Sequence, residues 1–182
     1  TSAGETAPEG GLTISGKPLL LSGGYNRPTS PTDNVIIRHV RIRNGNYTGV
    51  PDVGDHNGII SGGTDRWVFD HMSFSFNDDQ AISMDGNWGP LQDGTIQRCI
   101  FSENATGIIT GLARTFPIQR LSTVHNLFVH QGHRTPNIGG DGQFDIVNNV
   151  VFNWGSRLVN ANAHSPQVNY IGNHLTPGTE SG

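Results

Sequence analysis

The sequence has one cysteine, few charged residues and no long apolar run. A lone Cys99 excludes an internal disulfide and a thiolate metal site. Lys, Arg, Asp and Glu make up only 14% of the chain, against about 25% in an ordinary globular protein. No segment approaches the ~20 apolar residues of a membrane span. The net charge of −4 argues against the basic surface that phosphate binding needs. We therefore expect neither a membrane nor a nucleic-acid partner.

Glycine is abundant, with 25 residues in a chain of 182. Loops rich in glycine and asparagine separate short segments with the β-branched and aromatic residues typical of strands. No stretch between these segments has a convincing helical period. The pattern predicts an all-β protein.

Six of the segments share one order of aliphatic, polar, small polar, aliphatic and aromatic residues. They span 35–42, 67–74, 96–101, 123–128, 146–152 and 168–175. Their alignment places His39, His71, Cys99, Asn126, Asn149 and Asn173 at one position, at intervals of 32, 28, 27, 23 and 24 residues. In an antiparallel sandwich, successive strands would follow one another at intervals of about 8–12 residues. The longer interval predicts the coils of a right-handed parallel β-helix, whose stacked copies share one core.

The shared position predicts an internal ladder, in which stacked asparagine side chains hydrogen-bond to the coils above and below. We accordingly interpret His71 as an interior structural residue, and not as the partner of Asp70 in a catalytic dyad.

Residues 1–182 are expected to form one domain. Because no polar end cap is evident, this domain is expected to be a fragment that lacks terminal coils. The longest intervals, from His39 to Asn126, indicate insertions on the binding face.

Five stretches resemble the pectate lyases of polysaccharide lyase family 1. Residues 4–11, 65–71, 78–83, 125–136 and 147–155 are similar, in this order, to the family segments GQTAPGGG, vWiDH, TDEAIS, HNLFAHN…DRxP and VNNVIYNWG. They cover nearly the whole chain. The resemblance implies a parallel β-helix that cleaves polygalacturonate, an acidic plant-type polysaccharide, by β-elimination. Because this polymer cannot enter the cytosol, we expect a secreted or periplasmic protein, and we expect a monomer.

The resemblance also implies how the reaction proceeds. A base removes the proton beside the uronate carboxylate, the glycosidic oxygen leaves, and Ca²⁺ on the carboxylate stabilises the developing charge. In this family the base is an arginine, and Arg134 matches it, with Pro136 completing the motif at the substrate-binding site. The arginine that usually follows this proline and the lysine expected within residues 103–111 are both absent. Arg114 or Arg120 is the expected substitute that grips substrate carboxylates.

The calcium ligands that the resemblance implies are Asp55, Asn57, Asp79 and Ser83, and Asp78 and Asp85 are further candidates from the same loop. Calcium prefers several oxygen ligands, normally including carboxylates. Only Asp55 and Asp79 in the matched set are acidic, which predicts weak calcium affinity completed by the carboxylate of the substrate. The alternative for these acids is the turn-forming role that aspartate commonly has.

Three functions remain open from the residues alone. The first is a calcium-dependent lyase, and the second is a non-catalytic β-helix that binds polysaccharide, such as an adhesin or a phage tailspike segment. The third, a glycoside hydrolase, needs two carboxylates that flank the scissile bond. Adjacent Asp78 and Asp79 would point to opposite faces of a strand, which argues against them as such a pair.

The eight histidines lack the HExxH spacing of a zinc site. Trp88 and Trp154 are candidates for sugar stacking, although packing is favoured for both.

Overall fold

The computed structural model describes residues 2–4, 11–21, 32–45, 57–84, 86, 89–110, 116–163 and 165–182. Within these ranges the regular secondary structure is β-strand, and no α-helix is present. The described residues accordingly contain no helix with the length and apolarity of a membrane span. Arg114 and Asp55 lie outside the described residues, as do Asp85 and Trp88.

Twenty described strands form three parallel sheets. Sheet A contains, in order, β1 (Ser2–Ala3), β4 (Thr32–Arg38), β7 (Thr64–Asp70), β10 (Leu91–Gln97), β13 (Ile118–Val124), β16 (Gln143–Val147) and β19 (Gln167–Ile171). Sheet B contains β2 (Leu12–Ser15), β5 (Val40–Arg43), β8 (Ser73–Ser75), β11 (Ile100–Ser102), β14 (Leu127–Val129), β17 (Val150–Phe152) and β20 (His174–Thr176). Sheet C contains β3 (Leu19–Leu21), β6 (Ile59–Ser61), β9 (Gln80–Met84), β12 (Thr106–Thr110), β15 (Asn137–Gly139) and β18 (Asn160–Ala163).

Neighbouring strands in every sheet are three strands apart along the chain. Each coil therefore gives one strand to each sheet, and successive coils stack in parallel. This arrangement is a β-solenoid. The all-β parallel β-helix predicted from the repeat is confirmed.

The interior is built from rows of apolar side chains that stack from coil to coil. Alternate residues of a strand face opposite sides of its sheet, so that one rung of sheet B brings Phe74, Phe101 and Phe128 into register inside the solenoid. Their ring centroids lie 4.8 and 4.7 Å apart, with interplanar angles of 4° and 10°. This spacing equals the distance of about 4.8 Å between neighbouring strands. Stacking of the coils thus stacks the rings.

A ladder of asparagines runs along the bend between sheets A and B. The Oδ1 of Asn126 accepts a hydrogen bond from the Cys99 N–H at 2.9 Å, and its Nδ2 donates to the Ile96 carbonyl at 3.0 Å. Asn149 Oδ1 accepts from the backbone N–H and the Nδ2 of Asn126, and Asn173 repeats these bonds to Asn149. The predicted internal ladder is confirmed for these three asparagines and for Cys99.

The prediction that His39 and His71 occupy the same ladder is wrong by one residue. The interior positions in those coils belong to Val40 and Met72, each 1% exposed. His39 and His71 have positive φ angles of 55° and 52°, and their rings stack at 5.0 Å on the outside of the bend. A left-handed residue at each bend turns its side chain outward. At these bends a polar residue directly precedes an apolar one, and the sequence alone does not reveal which of the two faces the interior.

His71 does contact Asp70, with 2.9 Å between Nδ1 and Oδ1. Arg38 and Gln97 also donate to Asp70. Burial alone would raise the pKa of Asp70, but the hydrogen bonds from His71 and Gln97 hold it below its usual value. The carboxylate thus joins neighbouring coils at the bend between sheets A and B.

The ladder makes a prediction about stability. Asn126→Ala is expected to lower the free energy of unfolding by ~2 kcal/mol, because it leaves the Cys99 N–H and the Ile96 carbonyl unpaired inside the solenoid. Asn169→Ala is the control, since Asn169 is exposed and, among the described residues, its side chain bonds only to Asp145, and it should change stability by less than about 0.5 kcal/mol. Urea unfolding followed by circular dichroism measures both. Equal midpoints for the two variants would contradict the role of the ladder.

Candidate active site

A row of turns at the edge between sheets B and C carries the candidate chemistry. These turns span 76–79, 103–105, 130–136 and 153–159, and each joins a strand of sheet B to a strand of sheet C. Thr106 pairs with His133, and His133 pairs with Arg157, in parallel bridges. One residue from each of three successive coils therefore lies in a single row, with Arg134 next to it.

The backbone of Arg134 is held from both sides. Its N–H donates to the Arg157 carbonyl at 2.8 Å, and its own carbonyl accepts from the Ile108 N–H at 3.0 Å. Arg134 has a φ of 61°, a left-handed conformation that few residues other than glycine adopt. The side chain is half-buried, and its Nε is buried without a hydrogen-bond partner in the described part of the chain. These hydrogen bonds to the adjoining coils thus fix the backbone position from which the Arg134 side chain extends.

His133 lies between two arginines and is held by its ring nitrogens. Nε2 is 3.0 Å from Thr106 Oγ1, and Nδ1 is 3.4 Å from Nη2 of Arg157. An arginine only donates, so Nδ1 accepts, and the ring proton belongs on Nε2. Burial, and then the positive charges of Arg134 and Arg157, lower the pKa of His133. The imidazole is therefore neutral near pH 7, and it does not compete with the arginines for an anion.

The two arginines of this row differ from several others in the chain. Arg120 donates from Nε to Asp93 at 2.6 Å, and Arg66 donates to Asp33 at 2.8 Å. Arg134 and Arg157 have no ion pair with any described carboxylate. Two adjacent coils thus present positive charge that no described acid neutralises.

The structure places the predicted substrate-binding residues apart from one another. Arg120 lies on β13 of sheet A, and both its Nε and its Nη2 bind Asp93. Pro136 is buried among interior side chains, where it lines a small void with Ile108 and Phe144. Neither position supports a direct contact with a polymer at the edge between sheets B and C. Both assignments stay predictions, as does that of Arg114.

Three of the four predicted calcium ligands, Asn57, Asp79 and Ser83, lie within the described residues. Asn57 is 2% exposed, and its Oδ1 accepts the Gln80 N–H at 3.0 Å, so this oxygen serves the fold. Ser83 is 6% exposed within β9. Asp79 is half-buried in the turn before β9, where its Oδ1 accepts from the Gln80 side chain. In the described ranges no three His, Cys, Asp or Glu side chains are grouped to hold a metal. The calcium assignments of Asn57, Asp79 and Ser83 therefore stay predictions.

Two other expectations can be compared with the structure. Asp78 and Asp79 lie in the turn before β9 and not within a strand, with Asp78 exposed and Asp79 half-buried. Trp154 is partly buried and packs against the apolar core, which confirms that packing is its role in the fold.

Sequence reasoning missed His133 and Arg157 as members of the site. A signal for them was present, because the coil interval from Asn126 to Asn149 is 23 residues, and the same step leads from Arg134 to Arg157. Arg157 follows a matched family segment but does not belong to it. The resemblance therefore assigned no role to Arg157.

The position of His133 predicts an unusually acidic imidazole. Its pKa should lie below the usual 6.5 of histidine, because the ring is partly buried beside two guanidinium groups. An NMR titration of the histidine ring signals measures this value, and Arg157→Gln should raise it by removing one positive neighbour. A His133 that titrates at or above 6.5 would contradict the described arrangement.

Curated relatives match nearly the whole chain. A protein named probable pectate lyase C from Aspergillus fumigatus is 31% identical over 182 residues, which is 98% of this chain and 39% of that protein. Its namesake from Aspergillus flavus is 30% identical over 185 residues, which is 100% of this chain and 40% of that protein. The Neosartorya fischeri protein of the same name is 31% identical over 182 residues, with coverages of 98% and 39%.

The chain spans about two-fifths of the length of the curated relatives that it matches. No family model matches it. The relatives nevertheless align with almost every residue of a chain whose described part is a parallel β-solenoid. Over nearly its whole length, this β-solenoid is similar in sequence to proteins named probable pectate lyase C.

Proposed function

We propose that the chain is part of a polysaccharide lyase that cleaves polygalacturonate by β-elimination, with Arg134 as the base. The observation that carries the proposal is the pair Arg134 and Arg157, which lie on adjacent coils at one edge of the solenoid and which no described carboxylate neutralises. Polygalacturonate is a polyanion, and guanidinium groups bind carboxylates with two parallel hydrogen bonds. The similarity to proteins named probable pectate lyase C supports the same substrate class.

The reaction requires a group that accepts a proton from the carbon beside the carboxylate. In the proposed step Arg134 acts in its neutral form, after it has given one proton to water, and the proton of the substrate passes to its guanidine nitrogen. The electron pair of the broken C–H bond forms a carbon–carbon double bond, and the glycosidic oxygen leaves with the electrons of its bond and takes a proton from water. The hydrogen bonds of the Arg134 backbone to Arg157 and Ile108 favour this role, because proton transfer depends on a fixed position of the base.

We also propose that the activity depends on calcium. Bound Ca²⁺ supplies a Lewis acid that stabilises negative charge on a carboxylate. Asp79 is the acidic candidate of the matched set that lies within the described residues, and Asp55 lies outside them. With few oxygen ligands from the protein, the expected affinity is weak. Because the polymer is extracellular, we propose that the protein acts outside the cell or in the periplasm. We also propose that it acts as a monomer.

The ultraviolet absorbance of unsaturated product tests the lyase proposal directly. Wild-type protein should release such product from polygalacturonate at alkaline pH with calcium. Arg134→Ala should reduce the rate by about 10²–10⁴-fold, because it removes the proton acceptor. Arg41→Ala is the control, since Arg41 is exposed on β5 of sheet B, and it should keep the wild-type rate.

Each other outcome of this assay points elsewhere. A lyase signal that survives Arg134→Ala overturns the base assignment. Reducing ends without unsaturation indicate hydrolysis. Binding of the polymer without any product favours the non-catalytic polysaccharide-binding β-helix.

Calcium dependence makes a separate prediction. A chelator should abolish product formation, and added Ca²⁺ should restore it. Asp79→Asn should raise the calcium concentration at half-maximal rate by about tenfold, since it removes a carboxylate from a site that has few. Asp33→Asn, which alters a carboxylate on sheet A that binds Arg66, should leave this concentration unchanged. Full activity in the presence of the chelator would refute the calcium proposal.

A further inference from the structure

We propose that Arg157 binds a uronate carboxylate of the substrate beside Arg134, and that it selects for polymer whose carboxylates are not esterified. This inference rests on the proposed function and deepens it. It assigns to the next coil the cationic contact that the segment after Pro136 lacks, where Asn137, Ile138 and Gly139 carry no charge.

The first support is the position of Arg157. Its carbonyl accepts the Arg134 N–H at 2.8 Å, and the next carbonyl, that of Leu158, accepts the Thr135 N–H at 2.6 Å. The two turns therefore run in parallel and in register, with their backbones about one strand spacing of ~4.8 Å apart. Two arginines at this separation lie within reach of one sugar chain that crosses the edge.

The second support is the environment of the Arg157 side chain. It is exposed, and no described carboxylate forms an ion pair with it. Its one described hydrogen bond is the long contact from Nη2 to His133 Nδ1 at 3.4 Å. Most of the donors on its planar guanidinium thus remain available to an anion.

The third support is what His133 does to this side chain. The ring accepts from Arg157 while its other nitrogen contacts Thr106, which is 2% exposed. Thr106 therefore anchors His133 to the interior, and His133 in turn holds one nitrogen of Arg157. An anchored guanidinium loses less conformational freedom when it binds a carboxylate than a free surface arginine does.

Selectivity follows from the charge. A carboxylate offers two oxygens to the guanidinium fork and full electrostatic attraction, whereas a methyl ester keeps the carbonyl oxygen and loses the charge. An arginine that contacts the carboxylate in ground state and transition state alike raises affinity without changing the chemical step, so its loss appears in KM.

The test compares Arg157→Gln, Arg157→Lys and the control Arg41→Gln in the full chain. On polygalacturonate, Arg157→Gln should raise KM about tenfold with kcat within about twofold, and Arg157→Lys should lie between it and wild type. On highly methylated pectin Arg157→Gln should change KM by less than about twofold. Arg41→Gln removes the same charge from sheet B and should match wild type on both polymers.

Calorimetry with an oligogalacturonate separates this inference from the lyase proposal. If wild type forms no unsaturated product but Arg157→Gln binds the oligomer about tenfold more weakly, the lyase proposal fails and the Arg157 site stands. If wild type is an active lyase but Arg157→Gln leaves both KM and oligomer affinity unchanged, the Arg157 site is overturned and the lyase proposal stands. A loss confined to kcat, or an equal loss on methylated pectin, also overturns it.

Discussion

Parallel register between coils is the constraint on which the rest of this structure depends. Every coil repeats at the strand spacing, so each side chain meets the same position of its neighbours above and below. The asparagine ladder enforces this register, because Asn126 and Asn149 each bond to the backbone of one adjoining coil and to the side chain of the next. A slip by one residue would turn the stacked phenylalanines of sheet B outward and break the ladder at once.

The same register builds the candidate site. Successive turns contribute one arginine each, and stacking aligns Thr106, His133 and Arg157 in one row with Arg134 beside it. The two arginines place positive charge on adjacent coils, and His133 contacts the Arg157 guanidinium. Asp79 lies in the turn two coils from Arg134, at the same edge between sheets B and C. The arginines and Asp79 thus lie at one edge of the solenoid.

The repeat could be predicted from the sequence because interior positions demand particular residues. Apolar residues fill the core, and an asparagine at the bend pairs with both backbone and side chain of adjoining coils, so the ladder positions of Asn126, Asn149 and Asn173 could be predicted. The position of His71 could not be predicted, since the left-handed residue at a bend directly precedes the interior one and here the left-handed residue is the polar one. Arg157 escaped because its role arises from the neighbouring coil and not from its own segment. Asp79 and Arg134 came from family resemblance, which identifies residues but does not give their contacts.

A crystal structure of Arg134→Lys with a bound oligogalacturonate tests the central claim most directly. The substitution keeps the positive charge while it replaces the proposed base. The account predicts a sugar chain across the turns between sheets B and C, with one carboxylate within hydrogen-bond distance of the Arg157 guanidinium. An oligomer bound on the outer face of sheet A, around Arg66 and Arg120, would contradict the placement of the site.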